Sequence, residues 1–301
     1  MDDTGTHGVI ATAPPWFQDA IAEAPASHRV QAQGCDIHYL RWGPAQSELP
    51  GLLFLHAGGA HARWWSFIAP FFSAERPVAA LDFSGMGDSG RRERYASSLH
   101  VAEIAAVLED AKLGAQPIVV GHSFGGFMAM CHGHQHAGEL GGIVCVDTPL
   151  RPADEAKTDP VQPYTRPTRY YDDQKSILSR FKLGPAQPCE NAFILDYIAR
   201  NSIVQHAEGW AWKFDVAARG ASHHDEPLAD YLVDVACRKA LIYGECSAMV
   251  TPEVRPYLIS LFSSDDPVVC LAGTHHHLFL EEPRAFVTAM SEILAGWRRG
   301  A

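Results

Sequence analysis

Short, unbroken apolar runs alternate with longer amphipathic stretches along most of the chain. The runs fall in VQAQGCDIHYLRW, LLFLHA, PVAALDF, PIVVGHS, GGIVCVDT, ALIYGE and DPVVCLAG. Runs without polar alternation suit strands covered on both faces, as in a parallel sheet. Between them, SSLHVAEIAAVLEDAKLG places Val101, Ile104, Ala105 and Leu108 on one helical face, with Gly114 as a C-terminal stop. This order predicts right-handed crossovers and an α/β fold, a mostly parallel β-sheet sandwiched by helices.

The alternation stops after Thr148. Residues 149–236 are punctuated by proline and helical in pattern, and they are assigned as a helical cap inserted after the sixth strand. The core then comprises residues 29–148 and 237–301. Residues 1–28 form an N-terminal arm, in which PPWFQDAIAEA opens a short helix whose Trp16, Phe17 and Ile21 can dock on the body.

Composition narrows the classes. The 301 residues are 47% hydrophobic and 10% aromatic, enough for one large core. Lysine and arginine number 24 against 35 acidic residues, a formal charge of −11 without a long basic run. Nucleic acid and anionic membrane are therefore poor partners. No apolar run approaches the ~18 residues of a membrane span, and MDDTGTHG lacks the profile of a signal peptide. A soluble cytoplasmic protein, monomer or homodimer, is expected. Seven cysteines without a CxxC pair read as reduced, buried thiols.

The strongest chemical signal is PIVVGHSFGGFMAM. Gly121, His122, Ser123, Phe124 and Gly125 form GxSxG directly after an apolar strand and before a small-residue helix. A serine held on so sharp a turn is exposed for attack, and the flanking glycines let neighbouring segments approach. Earlier, LLFLHAGGAH puts His56, Ala57, Gly58 and Gly59 at another strand end, where a glycine-rich turn can offer N–H groups to a developing oxyanion.

HAGG, DFSGMGDSG at 82–90, GHSFGG and a late histidine before ExP together resemble the α/β-hydrolase fold superfamily, serine hydrolase branch, over residues 29–148 and 237–299. The resemblance implies an oxyanion hole from the N–H groups of Gly58 and Phe124, with Ala57 where a glycine is usual. Counting back from Pro283 and Glu281 in the GHxxxxExP pattern makes His276 the general base, with His275 the next choice. Asp82, Gly85 and Gly87 shape a loop. The acid departs from pattern: GxxD is replaced by Gly244, Glu245, Cys246, Ser247. Two carboxylates are open, Asp147 at the tip of the sixth strand, which is favoured, and Glu245.

Three adjacent histidines, His275 to His277, diverge from one another along a strand or short loop, so no metal site is expected. His132 and His136 read as a solvated helix face. His56, Trp64, Trp210 and Trp212 are candidate pocket residues; of these tryptophans and Trp65, Phe181, Phe193, Phe214 and Tyr197 most read as core, and a minority facing the cleft between cap and sheet would suit a small molecule with an apolar or aromatic group. A serine nucleophile excludes the haloalkane dehalogenase and epoxide hydrolase branches, which use aspartate. The expected function is cleavage of a carboxylic ester or lactone through an acyl-enzyme, without cofactor. Alternatives are an amidase, a carbon–carbon bond hydrolase of a dienoate-type substrate, or a ligand-binding or perhydrolase-type protein on the same scaffold.

Overall fold

The computed structural model describes residues 12–136, 138–152, 167–220 and 226–299. Eight strands form one sheet in the order β1-β2-β4-β3-β5-β6-β9-β10. They are β1 (Ala26–Ala32), β2 (Cys35–Trp42), β3 (Leu52–Leu55), β4 (Val78–Leu81), β5 (Ile118–His122), β6 (Gly142–Val146), β9 (Arg238–Gly244) and β10 (Val268–Leu271). β1 and β2 run antiparallel to their neighbours, and the rest pair in parallel. The β1–β2 hairpin turns on Gln33 and Gly34, both at positive φ, which matches the right-handed twist of the flanking strands.

Every residue of β3, β4, β5 and β6 is buried, as unbroken apolar runs require. Successive side chains serve opposite faces. Phe54 joins a cluster with Trp65, Phe279 and Phe286, while Leu53 and Leu55 join Ile104, Val107 and Met128 on the other side. The helices are α1 (Pro15–Ala22), α2 (Pro70–Ser73), α3 (Ser97–Asp110), α4 (Phe124–Gln135), α5 (Gln174–Leu178), α6 (Ala192–Asn201), α7 (Leu228–Asp234), α8 (Arg255–Ser260), α9 (Leu278–Glu281) and α10 (Pro283–Arg299). Phe17 of α1 is fully buried against Phe67, Phe193 and Tyr197. β1 already begins at Ala26, so the last residues of the expected arm belong to the sheet.

Between β6 and β9 the chain leaves the large sheet. It carries α5, α6 and α7, but also a hairpin of β7 (Ile203–His206) and β8 (Gly209–Trp212), where helix was expected. The bulky aromatics of GWAW fit a pleated surface better than a helix. Gly209, at φ 130°, lies so close to the Tyr171 carbonyl that a side chain would collide with it. This region is tied to the loop after β4: Gly87 N–H donates to Lys213 O (2.9 Å), Asp215 N–H to Gly85 O (2.6 Å), and Lys213 pairs with Asp88 (2.6 Å).

Two surface expectations change. His132 is fully buried rather than solvated, because α4 is covered by neighbouring helices; burial lowers its pKa to about 4. All seven cysteines are free as expected, but only Cys35, Cys131 and Cys145 are buried, and Cys246 and Cys270 are exposed. Among the described residues no helix is long and apolar enough to cross a membrane.

Candidate active site

Ser123 sits between β5 and α4 at φ 52°, ψ −114°, a conformation that costs a non-glycine residue on the order of 1–3 kcal/mol. The turn is held by Ser123 N–H to Val146 O and by Gly126 N–H to Ser123 O, both 2.9 Å. A Cβ on Gly121 would run into the backbone of Gly125 and Gly126, and one on Gly125 into the carbonyls of Leu55 and His56. That crowding is the physical reason for glycine two positions either side of the serine. The arrangement also puts Ser123 at the positive end of the α4 dipole.

One strand over, Asp147 follows β6 at φ 43° and is fully buried. Its Oδ1 accepts the Gly244 N–H (3.0 Å), and its Oδ2 accepts both the Ser247 hydroxyl (2.6 Å) and His276 Nδ1 (2.6 Å). Three donors stabilise a carboxylate that burial alone would destabilise. An ionised Asp147 can only accept, so His276 carries its proton on Nδ1 and keeps the Nε2 lone pair free. Ser247, standing where aspartate is the usual residue, is itself fixed by the N–H groups of Met249 (3.0 Å) and Val250 (3.1 Å). Sequence reasoning passed over this hydroxyl; its position in the broken GxxD pattern was the signal available.

Glu245 goes elsewhere. It accepts the Gly273 N–H (2.8 Å) at the surface, holding the turn before the histidine run. His275 turns away from His276 and pairs with Glu281 through its backbone N–H (2.6 Å) and Nδ1 (2.8 Å). His277 instead stays beside His276, with ring centroids 4.8 Å apart, and both meet the ring of His122 at 5.2 and 4.7 Å. The three consecutive rings do diverge, yet two of them converge on a third from β5.

Ser123 and His276 open into one cavity of about 1290 Å³, shared with Gly58, Phe124, Trp64 and Trp212. His56 does not line it. Its Nδ1 donates to Ala57 O (2.7 Å) and its Nε2 accepts the Phe83 N–H (3.1 Å), so its ring braces the HAGG turn. Trp210 is also absent from the lining, with its backbone paired to Tyr171. Phe193 and Tyr197 pack on α1 instead, whereas Phe181 and Phe214 reach the cavity. Asp82 accepts N–H groups from Ala62 (2.6 Å) and Asp88 (2.9 Å) and Nδ1–H from His38 (2.7 Å). Burial would raise its pKa, but the bond and charge of His38 hold it below the usual carboxylate range, a loop-shaping role.

A family model described as "Alpha/beta hydrolase family" matches residues 52–289. The esterase Rv0045c of Mycobacterium tuberculosis is 35% identical over 277 residues, covering 90% of this chain and 89% of that protein. Two crystal structures of that esterase, one described with its transition metal inhibition, align at TM-score 0.74 with 23% and 24% identity. Each spans 98% of this chain and 99% or more of its own. An E-2-(acetamidomethylene)succinate hydrolase gives TM-score 0.77 at 20% identity, over 90% of this chain and 99% of its own. With the sheet order, the strained serine turn and a family match over most of its length, this chain belongs to the alpha/beta hydrolase family.

Proposed function

We propose that the protein is a carboxylic ester hydrolase working through an acyl-enzyme on Ser123, with the described parts of the expected cap, residues 149–152, 167–220 and 226–236, covering the cavity and the rest of that range lying outside the described residues. The observation that carries this reading is the buried His276–Asp147 hydrogen bond beside the cavity that also receives the strained Ser123. The identity with a curated esterase over nine-tenths of the chain favours ester bonds.

In this reading His276 Nε2 takes the Ser123 proton as Oγ attacks the ester carbonyl, and Asp147 stabilises the imidazolium that forms. The N–H groups of Gly58 and Phe124 receive the oxyanion; one such donor contributes on the order of 10²–10³ in rate. His276 then protonates the leaving alcohol, and water activated by the same imidazole releases the acid. The wall is mostly apolar, with Trp64, Met86, Phe127, Phe181, Trp212 and Phe214. At about 1290 Å³ the cavity exceeds the roughly 300–1,000 Å³ of most small-ligand pockets, so a bulky alkyl or aromatic ester is the proposed substrate class.

Fluorophosphonate labelling and turnover of p-nitrophenyl esters of increasing acyl length test the proposal. Wild type should label at Ser123 and turn over, and Ser123→Ala should do neither. Undiminished turnover by Ser123→Ala would overturn it.

A further inference from the structure

His122, His276 and His277 form a nearly equilateral triangle of rings, and all three are at most 2% exposed. Their protons can be assigned one by one. His122 Nε2 lies 3.0 Å from the His276 carbonyl and His277 Nε2 lies 3.2 Å from the Gly184 carbonyl; a carbonyl only accepts, so both nitrogens carry hydrogen. His276 Nδ1 donates to Asp147. What remains is one lone pair on each ring: His122 Nδ1, His276 Nε2 and His277 Nδ1. The nitrogens of His122 and His277 have no hydrogen-bond partner although buried, a loss of about 1–3 kcal/mol apiece that a fold ordinarily avoids.

Imidazoles that hold one N–H on an oxygen and leave the lone pair of the other nitrogen unused are arranged as metal-binding histidines are. The three residues offer ligand nitrogens within 4.8 Å of one another. Tetrahedral ligation at ~2.1 Å needs nitrogens roughly 3.4 Å apart, so the three rings draw together when an ion binds. His276 and His277 line the cavity, which gives an ion its entry. The second cluster of this kind, His38, Asp82 and Asp88, lacks that freedom, because His38 and Asp82 already bond each other and their neighbours.

We propose that His122, His276 and His277 bind a divalent transition cation of the Zn²⁺, Cu²⁺ or Ni²⁺ type, and that the ion halts ester cleavage by occupying the Nε2 lone pair of His276. Imidazole donors suit these ions over Mg²⁺ and Ca²⁺. The binding half stands on the three rings alone; the inhibition half rests on His276 being the base.

Zn²⁺ titrated into the full chain, read by calorimetry and by ester turnover, tests both halves. His277→Gln keeps an amide N–H for the Gly184 carbonyl and removes the imidazole lone pair. Wild type and Ser123→Ala should bind one ion equally, and His277→Gln at least about tenfold more weakly. Replacing the exposed Cys246 and Cys270 by serine should change nothing. X-ray absorption of the zinc complex should show three nitrogen ligands, a reading independent of how any variant folds. Mg²⁺ at the same concentration should leave turnover unaffected. Equal affinity in His277→Gln, loss of the site with the two cysteines, or sulfur in the coordination shell would overturn the site. Binding of one ion through three nitrogens by a wild-type chain that cleaves no ester would leave the site standing and sink the hydrolase reading instead. Binding without slowed turnover would overturn the inhibition half.

Discussion

Where many relatives place an aspartate, this chain has Ser247, whose hydroxyl donates to Asp147 at 2.6 Å. In the proposed mechanism the carboxylate comes from the neighbouring strand tip, Asp147, and the hydroxyl of Ser247 orients it. Asp147→Asn should lower kcat on a p-nitrophenyl ester by about 10³–10⁴, because the amide favours the wrong histidine tautomer. Glu245→Gln should change kcat little, since among the described residues the hydrogen bond its carboxylate accepts is from the Gly273 N–H at the surface, away from His276. Ser247→Ala removes one bond to a charged acceptor, ~1.5–3 kcal/mol, so kcat should fall about 10- to 100-fold with KM nearly constant. The double variant Asp147→Asn with Ser247→Asp restores a carboxylate at the position usual in relatives and should recover part of that loss. If Glu245→Gln proves the more damaging change, the acid assignment is wrong. Ser123 was legible because strand, turn and helix surround it in the chain, and His276 because Glu281 and Pro283 count back to it. The Ser247–Asp147 bond spans 100 residues, a pairing that no local pattern encodes.

The serine turn shows how tightly an element can constrain its neighbours. β5 and α4 approach so closely at Gly121 that an added methyl would strike backbone, not a flexible side chain. Backbone cannot yield without opening the turn that holds Ser123 at φ 52°. Gly121→Ala should therefore destabilise the fold by about 3 kcal/mol or more and lower kcat as the turn relaxes. Thermal melts and ester kinetics on the same sample check this, and an unchanged melting temperature would show that the turn has slack. The strands of the core were readable as elements because each is an apolar run with a turn at its end. The hairpin of β7 and β8 was not, since four-residue strands carry too few alternations to separate a period of two from one of 3.6. Its identity depends on a partner outside it, the Tyr171 backbone against Trp210.

Across the whole molecule, the alternation of runs and helices carried the layered architecture, but burial of the histidines is a property of the assembled fold. Burial lowers the pKa values of His61, His132 and His277 to about 3, 4 and 3, and it lowers those of His56 and His122 as well. In the unfolded chain each returns to ~6.5. Between pH 6.5 and about 4 the unfolded state binds protons that the folded state refuses, so stability rises with pH and is lost as pH falls below 6.5. Each group contributes at most about 1.4 kcal/mol per pH unit in that window. Asp82 and Glu103, whose pKa values are lowered in the fold, act in the same direction but lose their contribution only at more acid pH, below the ordinary carboxylate range. Melting temperatures from pH 7.5 to 5.0 should therefore hold steady to about pH 6.5 and then fall, an acid loss due to histidine and not to carboxylates. His132→Leu removes one of these five without touching the cavity, and its slope below pH 6.5 should be shallower by roughly a fifth. A flat profile in wild type, or an identical slope in His132→Leu, would mean that these rings find room for a proton inside the fold.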